Sequence, residues 1–311
     1  MASKFFGNLR ICTLLGCLCG LPLAASASLA ANDGTLLVFS HSQTVTFDQM
    51  IESLSRADVV FVGEQHDHKR GHELELEVLK AIYAKNSSIA LSLEMFERDV
   101  QMVLDEYLSD QISESSFLAA SRPWPRYKTD YAPLVEFCKK NKLPVIAANA
   151  PRRYVSMVTR KGQSSLLDLR KEARSNLPRL PYSMVVPEGY DKALDEVFSN
   201  HGSSPAAAVP SPSRMKESQM LWDATMADSV LRARSKTHAK VVLQMNGAMH
   251  SDSGYGIVDR LRQAAPRLRI VTVSIKTDDP YPNVDRSKYD KTADFVIVTP
   301  PDAADPAAKK L

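Results

Sequence analysis

The chain has 311 residues, 44% of them hydrophobic and 24% charged, with a formal net charge of +3 at pH 7. It contains no basic tract and no stripe of alternating aromatic and basic residues, which gives no indication of a nucleic-acid partner. Beyond residue 27, no segment approaches the length of about 20 apolar residues that a transmembrane helix needs. The length that remains suits one large α/β domain carrying an insertion.

The N-terminus has the pattern of a secretory signal peptide. Lys4 and Arg10 supply the positive start, residues 11–23 form an apolar stretch too short to span a bilayer, and residues 25–27 form a small-x-small cleavage site. We therefore expect a signal peptide over residues 1–27 and a mature domain over residues 28–311.

A second interpretation uses Leu14-Leu15-Gly16-Cys17, which is similar to a bacterial lipobox and would leave a lipid on Cys17. Simple export is favoured, because the apolar run before Cys17 is very short and continues past it. Both interpretations predict a protein outside the cytoplasm, either periplasmic or a membrane-anchored lipoprotein. After cleavage Cys138 is the remaining cysteine, so no intramolecular disulfide is expected.

Short β-branched runs alternate with longer helical patterns along the rest of the chain. Strands are predicted at Leu36–Phe39, Val59–Val62, Ile89–Glu94, Val145–Ala148, Val241–Met245, Ile270–Ile275 and Phe295–Val298. Such alternation predicts an α/β fold with a doubly wound, mostly parallel sheet.

Two stretches with few strand signals interrupt this alternation, and they predict helical insertions at about 97–136 and 154–235. The second would form a helical subdomain above the sheet edge and end in a helix beginning at Met215. Residues 199–213 are rich in Ser, Pro, Ala and Gly and predict a mobile loop, and a flexible tail is predicted from about residue 300.

Polar side chains follow four of the predicted strands. Glu64 and His66 follow the first strong strand, Glu94 ends the next, Asn149 ends the third, and His250 follows the fourth. The carboxyl ends of parallel strands share one edge of a sheet, so these side chains are expected to converge on one cleft.

We predict Glu64, His66, Glu94 and His250 as the catalytic-type cluster, with support from His72, Asn149 and Arg152. Glu64, His66 and His250 would suit a divalent metal, or a histidine base oriented by carboxylates. Each group also has a structural interpretation. Glu94 could cap a following helix, His250 could satisfy a buried backbone group, and His68 is expected to face solvent.

Several blocks, in this order, resemble the ChaN family of haem-binding uptake proteins in the Tiki superfamily. The blocks are Gly63-Glu64-Gln65-His66 with His72, Leu93-Glu94-Met95-Phe96-Glu97-Arg98, Arg122-Pro123-Trp124-Pro125, Thr129-Asp130-Tyr131, Ala148-Asn149-Ala150-Pro151-Arg152, Gln219-Met220-Leu221-Trp222-Asp223 and Asn246-Gly247-Ala248-Met249-His250-Ser251-Asp252. The resemblance runs from about Asp58 to Ile275 and so covers nearly the whole mature chain.

The resemblance implies an exported haem-binding protein for haem or iron uptake or storage, which binds stacked haems as a homodimer and works with an outer-membrane haem uptake receptor system. It also implies a tyrosinate ligand on the haem iron, a hard anionic donor that suits ferric haem. Tyr190 and Tyr182 are the leading candidates, followed by Tyr131 and Tyr154. Other Tiki branches imply the alternative, a metal-dependent protease or erythromycin-esterase-like hydrolase that uses the Glu/His cluster.

Overall fold

The computed structural model describes residue 1 and residues 36–41, 43–200 and 211–302. Within these ranges the strands are β1 (Leu37–Ser40), β2 (Gln43–Thr44), β3 (Val59–Glu64), β4 (Ile89–Glu97), β5 (Val145–Asn149), β6 (Val241–Gly247), β7 (Ile270–Thr277) and β8 (Phe295–Thr299). All seven predicted strands are present, and the two-residue β2 is an addition.

The strands form one sheet in the order β2-β1-β8-β7-β3-β6-β4-β5. Every neighbouring pair from β8 to β5 is parallel, whereas β1 runs antiparallel to both β8 and β2. The predicted α/β class and mostly parallel sheet are therefore confirmed. Later strands β6 and β7 flank β3, so the chain reverses its winding direction beside β3, at the kind of crevice where open α/β sheets bind ligands.

β3 is buried along its whole length because both faces of the sheet are covered. Val60 and Val62 face the larger core, while Val59 and Phe61 face a second core on the other side. This alternation follows from the two-residue period of a strand. It explains why β3 reads as a continuous apolar run.

The helices are α1 (Phe47–Leu54), α2 (Lys69–Lys85), α3 (Gln101–Leu108), α4 (Glu114–Ser121), α5 (Tyr127–Asp130), α6 (Ala132–Lys140), α7 (Arg152–Lys161), α8 (Lys171–Arg174), α9 (Glu188–Asn200), α10 (Pro212–Thr237) and α11 (Ile257–Ala264). The buried sides of helices α1 to α6 contribute to the larger core, and α10 and α11 cover the opposite face of the sheet.

The segment from α7 to the start of α10 has a core of its own. Tyr154, Tyr182 and Tyr190 are buried in it, together with Leu194 and Leu221. The C-terminal half of α10 instead packs on the sheet through Met226 and Val230. One long helix thus ties the second predicted helical region to the α/β layer.

Helix α10 begins at Pro212, three residues before the predicted Met215. Ser211 caps it by accepting a hydrogen bond from the Arg214 amide, and proline is well suited to a first helical turn. Residues 212 and 213 of the predicted mobile loop therefore lie in this helix and residues 199 and 200 lie in α9, while residues 201–210 lie outside the described ranges. The predicted signal peptide, Cys17 and residues 303–311 of the predicted tail also lie outside them. No helix in the described ranges is long and apolar enough to cross a membrane.

Candidate functional site

A cavity of about 780 Å³ opens at the carboxyl ends of β3, β4, β5 and β6. Its far wall comes from α7 and α10, so strand ends and the helical region line one cleft. The lining residues are His66, Glu94, Glu97, Trp124, Asn149, Ala150, Arg152, Val155, Ser156, Thr159, Arg160, Gln219, Trp222, Met249 and His250. The chain has two tryptophans, and both are among these residues.

On the β3 side of the cleft, a buried carboxylate orients a half-exposed imidazole. His66 Nδ1 lies 2.5 Å from Oε1 of Glu64, whose side chain is fully buried, while the His66 side chain is 48% exposed. The ring of His66 meets Trp124 edge-on at 5.1 Å between centroids. The hydrogen bond to Glu64 raises the pKa of His66 above its ordinary value, although burial opposes this. Because Nδ1 is held, Nε2 is the nitrogen that remains for a ligand or substrate.

On the β6 side, a second imidazole is buried between two carboxylates. His250 Nδ1 donates to Asp223 Oδ1 at 2.6 Å, and His250 Nε2 lies 3.5 Å from Glu94 Oε1. Tyr190 donates to the other Asp223 oxygen at 2.8 Å. Burial alone would lower the pKa of His250, but Glu94 and Asp223 outweigh it and raise that pKa to about 10. His250 is therefore a cation at neutral pH.

Glu94 lies between the two histidines because β4 is irregular at this point. The β4–β5 register shifts between Leu93 and Glu97, and such a bulge redirects a side chain. Glu94 Oε2 then accepts a hydrogen bond from the Gly247 amide at 2.7 Å. A Cβ at Gly247 would lie 2.9 Å from His66 Nε2, so any other residue here would displace the His66 ring from its position. The charge of His250 keeps the pKa of Glu94 low despite its burial.

Behind His66 lies a buried group of ionisable side chains. His72 Nδ1 lies 3.2 Å from Glu64 Oε2 and 3.0 Å from Glu75 Oε2. Tyr131 donates to Glu64 Oε1 at 2.8 Å. Burial, strengthened by the neighbouring charge of Glu64, raises the pKa of Glu75 well above its ordinary value. Burial disfavours the charged form of His72, but the two carboxylates raise its pKa to about 10.

The predicted convergence of Glu64, His66, Glu94 and His250 is present, since short contacts link them in two pairs around the cleft mouth. Asn149 lines the cavity and its Oδ1 accepts a hydrogen bond from the next backbone amide. The side chain of Arg152 is 73% exposed at the cavity rim. These placements agree with the expected cleft.

The predicted metal ligands are arranged differently. In the described ranges, the group whose ligand atoms all lie within 4.8 Å of one another is Glu64, His72 and Glu75. His66 and His250 do not belong to this group: His66 contacts the other oxygen of Glu64, and His250 is held by Asp223. His72, which the sequence predicted only as a supporting residue, therefore lies in the compact group of possible metal ligands.

The tyrosines predicted to bind iron do not line the cleft. Tyr190 is 1% exposed and bonded to Asp223, and Tyr182 is 6% exposed and donates to the Glu217 carbonyl at 2.9 Å. Burial raises the pKa of both phenols, which disfavours the phenolate. Tyr131 donates to Glu64, and Tyr154 is buried in the helical core.

One expectation about the loop after β3 is wrong. His68 is 4% exposed rather than solvent-facing, because its Nε2 pairs with Thr299 Oγ1 at 3.0 Å. Burial lowers its pKa. Sequence reasoning also gave no role to Asp223, Trp124 and Trp222. All three stand in the blocks that carry the resemblance, which was the available signal.

Comparison with known proteins identifies the fold around this cleft. The profile of the family described as haem-binding uptake, Tiki superfamily, ChaN matches residues 50–261, which include every residue of the Glu/His cluster. The chain belongs to this family. The structure is also similar to that of ChaN of Campylobacter jejuni, whose structure is described as showing cofacial haem binding. The TM-score is 0.65 at 21% identity, with 85% of this chain and 96% of that chain covered.

Two further similarities are more remote. The chain is 23% identical over 234 residues to RETICULATA-RELATED 5, a chloroplastic protein of Arabidopsis thaliana; the match covers 70% of this chain and 31% of the relative, so the chain spans about a third of that protein. Erythromycin esterase EreC matches with a TM-score of 0.44 at 14% identity over 86% of this chain and 83% of that one, which is too weak to bear on an esterase function.

Proposed function

We propose that this protein binds haem in the cleft between the strand ends and α7 and α10. The observation that carries this proposal is the lining of the cavity: both tryptophans and an imidazole whose Nε2 has no partner among the described residues face a space of about 780 Å³. Cavities of this size with apolar, aromatic walls are typical binding sites for small molecules and cofactors.

The residues present fit a haem by their chemistry. Trp124, Trp222 and Val155 offer apolar surface to a porphyrin, while Arg152 and Arg160 at the rim can pair with propionates. His66 would hold the iron, because Glu64 fixes its ring and increases its basicity. In the described ranges no tyrosine lines this cavity, which makes His66 the better supported ligand. A bound haem would supply an iron centre for transport or storage.

A hemin titration with spectral and fluorescence readouts tests this. Hemin should give a saturable Soret shift and quench the tryptophan emission in the same concentration range. His66→Asn keeps a donor toward Glu64 and removes Nε2, so it should move the Soret band and weaken binding at least about tenfold. The matched control is His238→Asn, because His238 is exposed and its left-handed backbone suits asparagine. Equal spectra in all three proteins would exclude His66 as the ligand, and no saturable binding would exclude the proposal.

We further propose that the protein works outside the cytoplasm in haem or iron uptake, as a homodimer that exchanges haem with an outer-membrane receptor system. The N-terminal pattern supports export and the family supports uptake. Cell fractionation with N-terminal sequencing should find a mature chain beginning near Ser28, or a lipid-modified Cys17. Light scattering with and without hemin should give twice the monomer mass in the haem-loaded state. A cytoplasmic, uncleaved monomer would contradict this part of the proposal.

A hydrolase is the second candidate, favoured by one specific feature of the cleft. His66 and His250 are each oriented by a carboxylate, and Glu94 lies between them. His66, half exposed, could remove a proton from water, while cationic His250 and Glu94 hold the reacting group. A screen of peptides and esters should then give turnover that His66→Asn abolishes. Absence of turnover in haem-free protein would leave haem binding as the function of the cleft.

A further inference from the structure

We propose that Glu64, His72 and Glu75 bind one divalent transition-metal ion, at a site behind the haem cleft and distinct from it. One ligand atom from each residue lies within 4.8 Å of the other two. The closest separations are 3.0 and 3.2 Å, from His72 Nδ1 to an oxygen of Glu75 and of Glu64. Donors bonded at about 2.0–2.2 Å to one ion stand roughly 3 to 3.5 Å apart, so these positions suit a shared ion with little movement.

Unpartnered oxygen atoms point to a ligand in this cluster. Both glutamate side chains are fully buried. Within the described ranges, neither Glu64 Oε2 nor Glu75 Oε1 accepts a hydrogen bond of normal geometry. Buried carboxylate oxygens are costly unless they are bonded, paired or coordinated to a metal. A cation between the three residues would remove that cost.

The orientation of the His72 ring identifies the nitrogen that would coordinate. Nε2 lies 3.2 Å from the His66 carbonyl oxygen, so it carries the hydrogen and donates. With no ion bound, a proton on Nδ1 pairs with the two carboxylates. A divalent ion would replace that proton and take the Nδ1 lone pair. A divalent ion would balance both carboxylate charges while the imidazole stays neutral.

Surrounding groups provide the support that metal sites normally have. Tyr131 and His66 both bond Glu64 Oε1, which leaves Oε2 of the same carboxylate for the ion. His72 also lines a separate cavity of about 330 Å³, whose rim includes Asp67, Glu73 and Asp130. Lys69 and Arg126 line the same cavity, which gives an ion an approach that does not pass through the haem cleft.

The donor set indicates the class of ion. One imidazole nitrogen with two carboxylates suits borderline ions such as Zn²⁺, Mn²⁺ or Fe²⁺ better than Ca²⁺, which prefers six to eight oxygen ligands. Glu64 also orients His66 of the cleft, but the metal site needs neither Nε2 of His66 nor any haem. The proposal therefore stands whether or not the cleft binds haem.

Calorimetric titration of haem-free, chelator-treated full-length protein with Zn²⁺, repeated with Mn²⁺, tests the site. We expect one ion per chain. Glu75→Gln keeps the side-chain shape and removes a charged ligand, so affinity should fall at least about 100-fold. Tyr131→Phe should cost about tenfold, because it removes only a hydrogen bond to a ligand. Glu77→Gln is the matched control, since Glu77 lies on the same helix, pairs with Arg70 and does not line the cavity beside His72.

Several outcomes would overturn the proposal. The wild-type protein could fail to bind either ion, or Glu75→Gln could bind as tightly as wild type. Binding lost in His250→Asn but kept in Glu75→Gln would place the ion in the cleft instead. If Glu75→Gln does not fold, Tyr131→Phe and anomalous scattering from metal-soaked wild-type crystals decide the case. An anomalous peak away from the three residues would contradict it.

Discussion

The two histidines that face Glu94 are built in similar ways but sit in different surroundings. Each has its Nδ1 on a buried carboxylate, Glu64 for His66 and Asp223 for His250. The His66 side chain is 48% exposed, whereas that of His250 is 7% exposed. His250 contacts carboxylates through both ring nitrogens, whereas His66 bonds only through Nδ1 among the described residues.

This difference separates a chemical role from an electrostatic one. A half-exposed imidazole can bind iron or exchange a proton without disturbing the core. His250, with a pKa of about 10, stays charged and fixes Glu94 and Asp223 in place. We infer that the β3 side of the cleft carries the chemistry and that the β6 side holds it in position.

The largest expected effect comes from breaking the buried ion pair between Asp223 and His250. Asp223→Asn leaves the His250 cation with one carboxylate partner and should lower the free energy of unfolding by about 3–5 kcal/mol. His66→Asn, at the half-exposed position, should lower it by less than about 1 kcal/mol. Urea unfolding of both variants measures this contrast. Similar losses in the two variants would mean that the sides of the cleft are not functionally separate.

The second effect is a loss of stability at alkaline pH. The folded pKa of His250 is about 10, above its unfolded value, so its contribution is complete below about pH 6.5. It is lost as the pH rises toward 10, because the native state holds a proton that the unfolded state has released. One such group lowers the unfolding free energy by about 1.4 kcal/mol per pH unit in that window.

Urea unfolding from pH 6 to 10, with EDTA present to remove metal ions, measures this slope. Asp223→Asn should flatten it, because the variant removes one of the two carboxylates that raise the pKa of His250. An identical slope in the two proteins would show that other groups cause the loss.

The sequence predicts a feature well when neighbouring residues determine it, and poorly when contacts between distant segments determine it. The strand candidates were found because a buried parallel strand reads as an apolar run, and the strand ends followed from parallel topology. Strand β2 was missed because two exposed residues carry no such pattern. The pairing of Asp223 with His250 joins the middle of α10 to the end of β6, and no local spacing reveals it.

Contacts between distant segments also decide the surroundings of the tyrosines and of the buried cluster. Tyr182 and Tyr190 lie in a Pro-rich stretch that reads as exposed, yet the fold packs both against α10. Glu75 looks like one more acidic residue on a helix, and its burial depends on how α2 packs against the strands. Such contacts are set by tertiary packing.

The third prediction concerns those tyrosines. Tyr190→Phe removes a hydrogen bond to a buried carboxylate and should cost about 1.5–3 kcal/mol of stability. The Soret band of the haem-loaded protein should be unchanged in Tyr190→Phe, in Tyr182→Phe and in the double variant, because neither phenol lines the cleft. Loss of a phenolate-to-iron charge-transfer band in any of them would instead support tyrosine ligation and move the haem to the helical region.

The smallest expected effect lies at the cleft rim. Arg152 and Arg160 line the cavity, and their pairing with haem propionates would occur near solvent. Exposed ion pairs contribute roughly 0.2–1 kcal/mol, so Arg152→Gln or Arg160→Gln should weaken hemin binding by no more than about fivefold. The loss should shrink at high salt, which screens exposed charges, and Arg170→Gln, on an exposed arginine that does not line the cleft, is the control. A far larger, salt-independent loss of hemin affinity at either rim position would mean that bound haem buries these arginines. The rim would then resemble the buried β6 side of the cleft rather than the half-exposed β3 side.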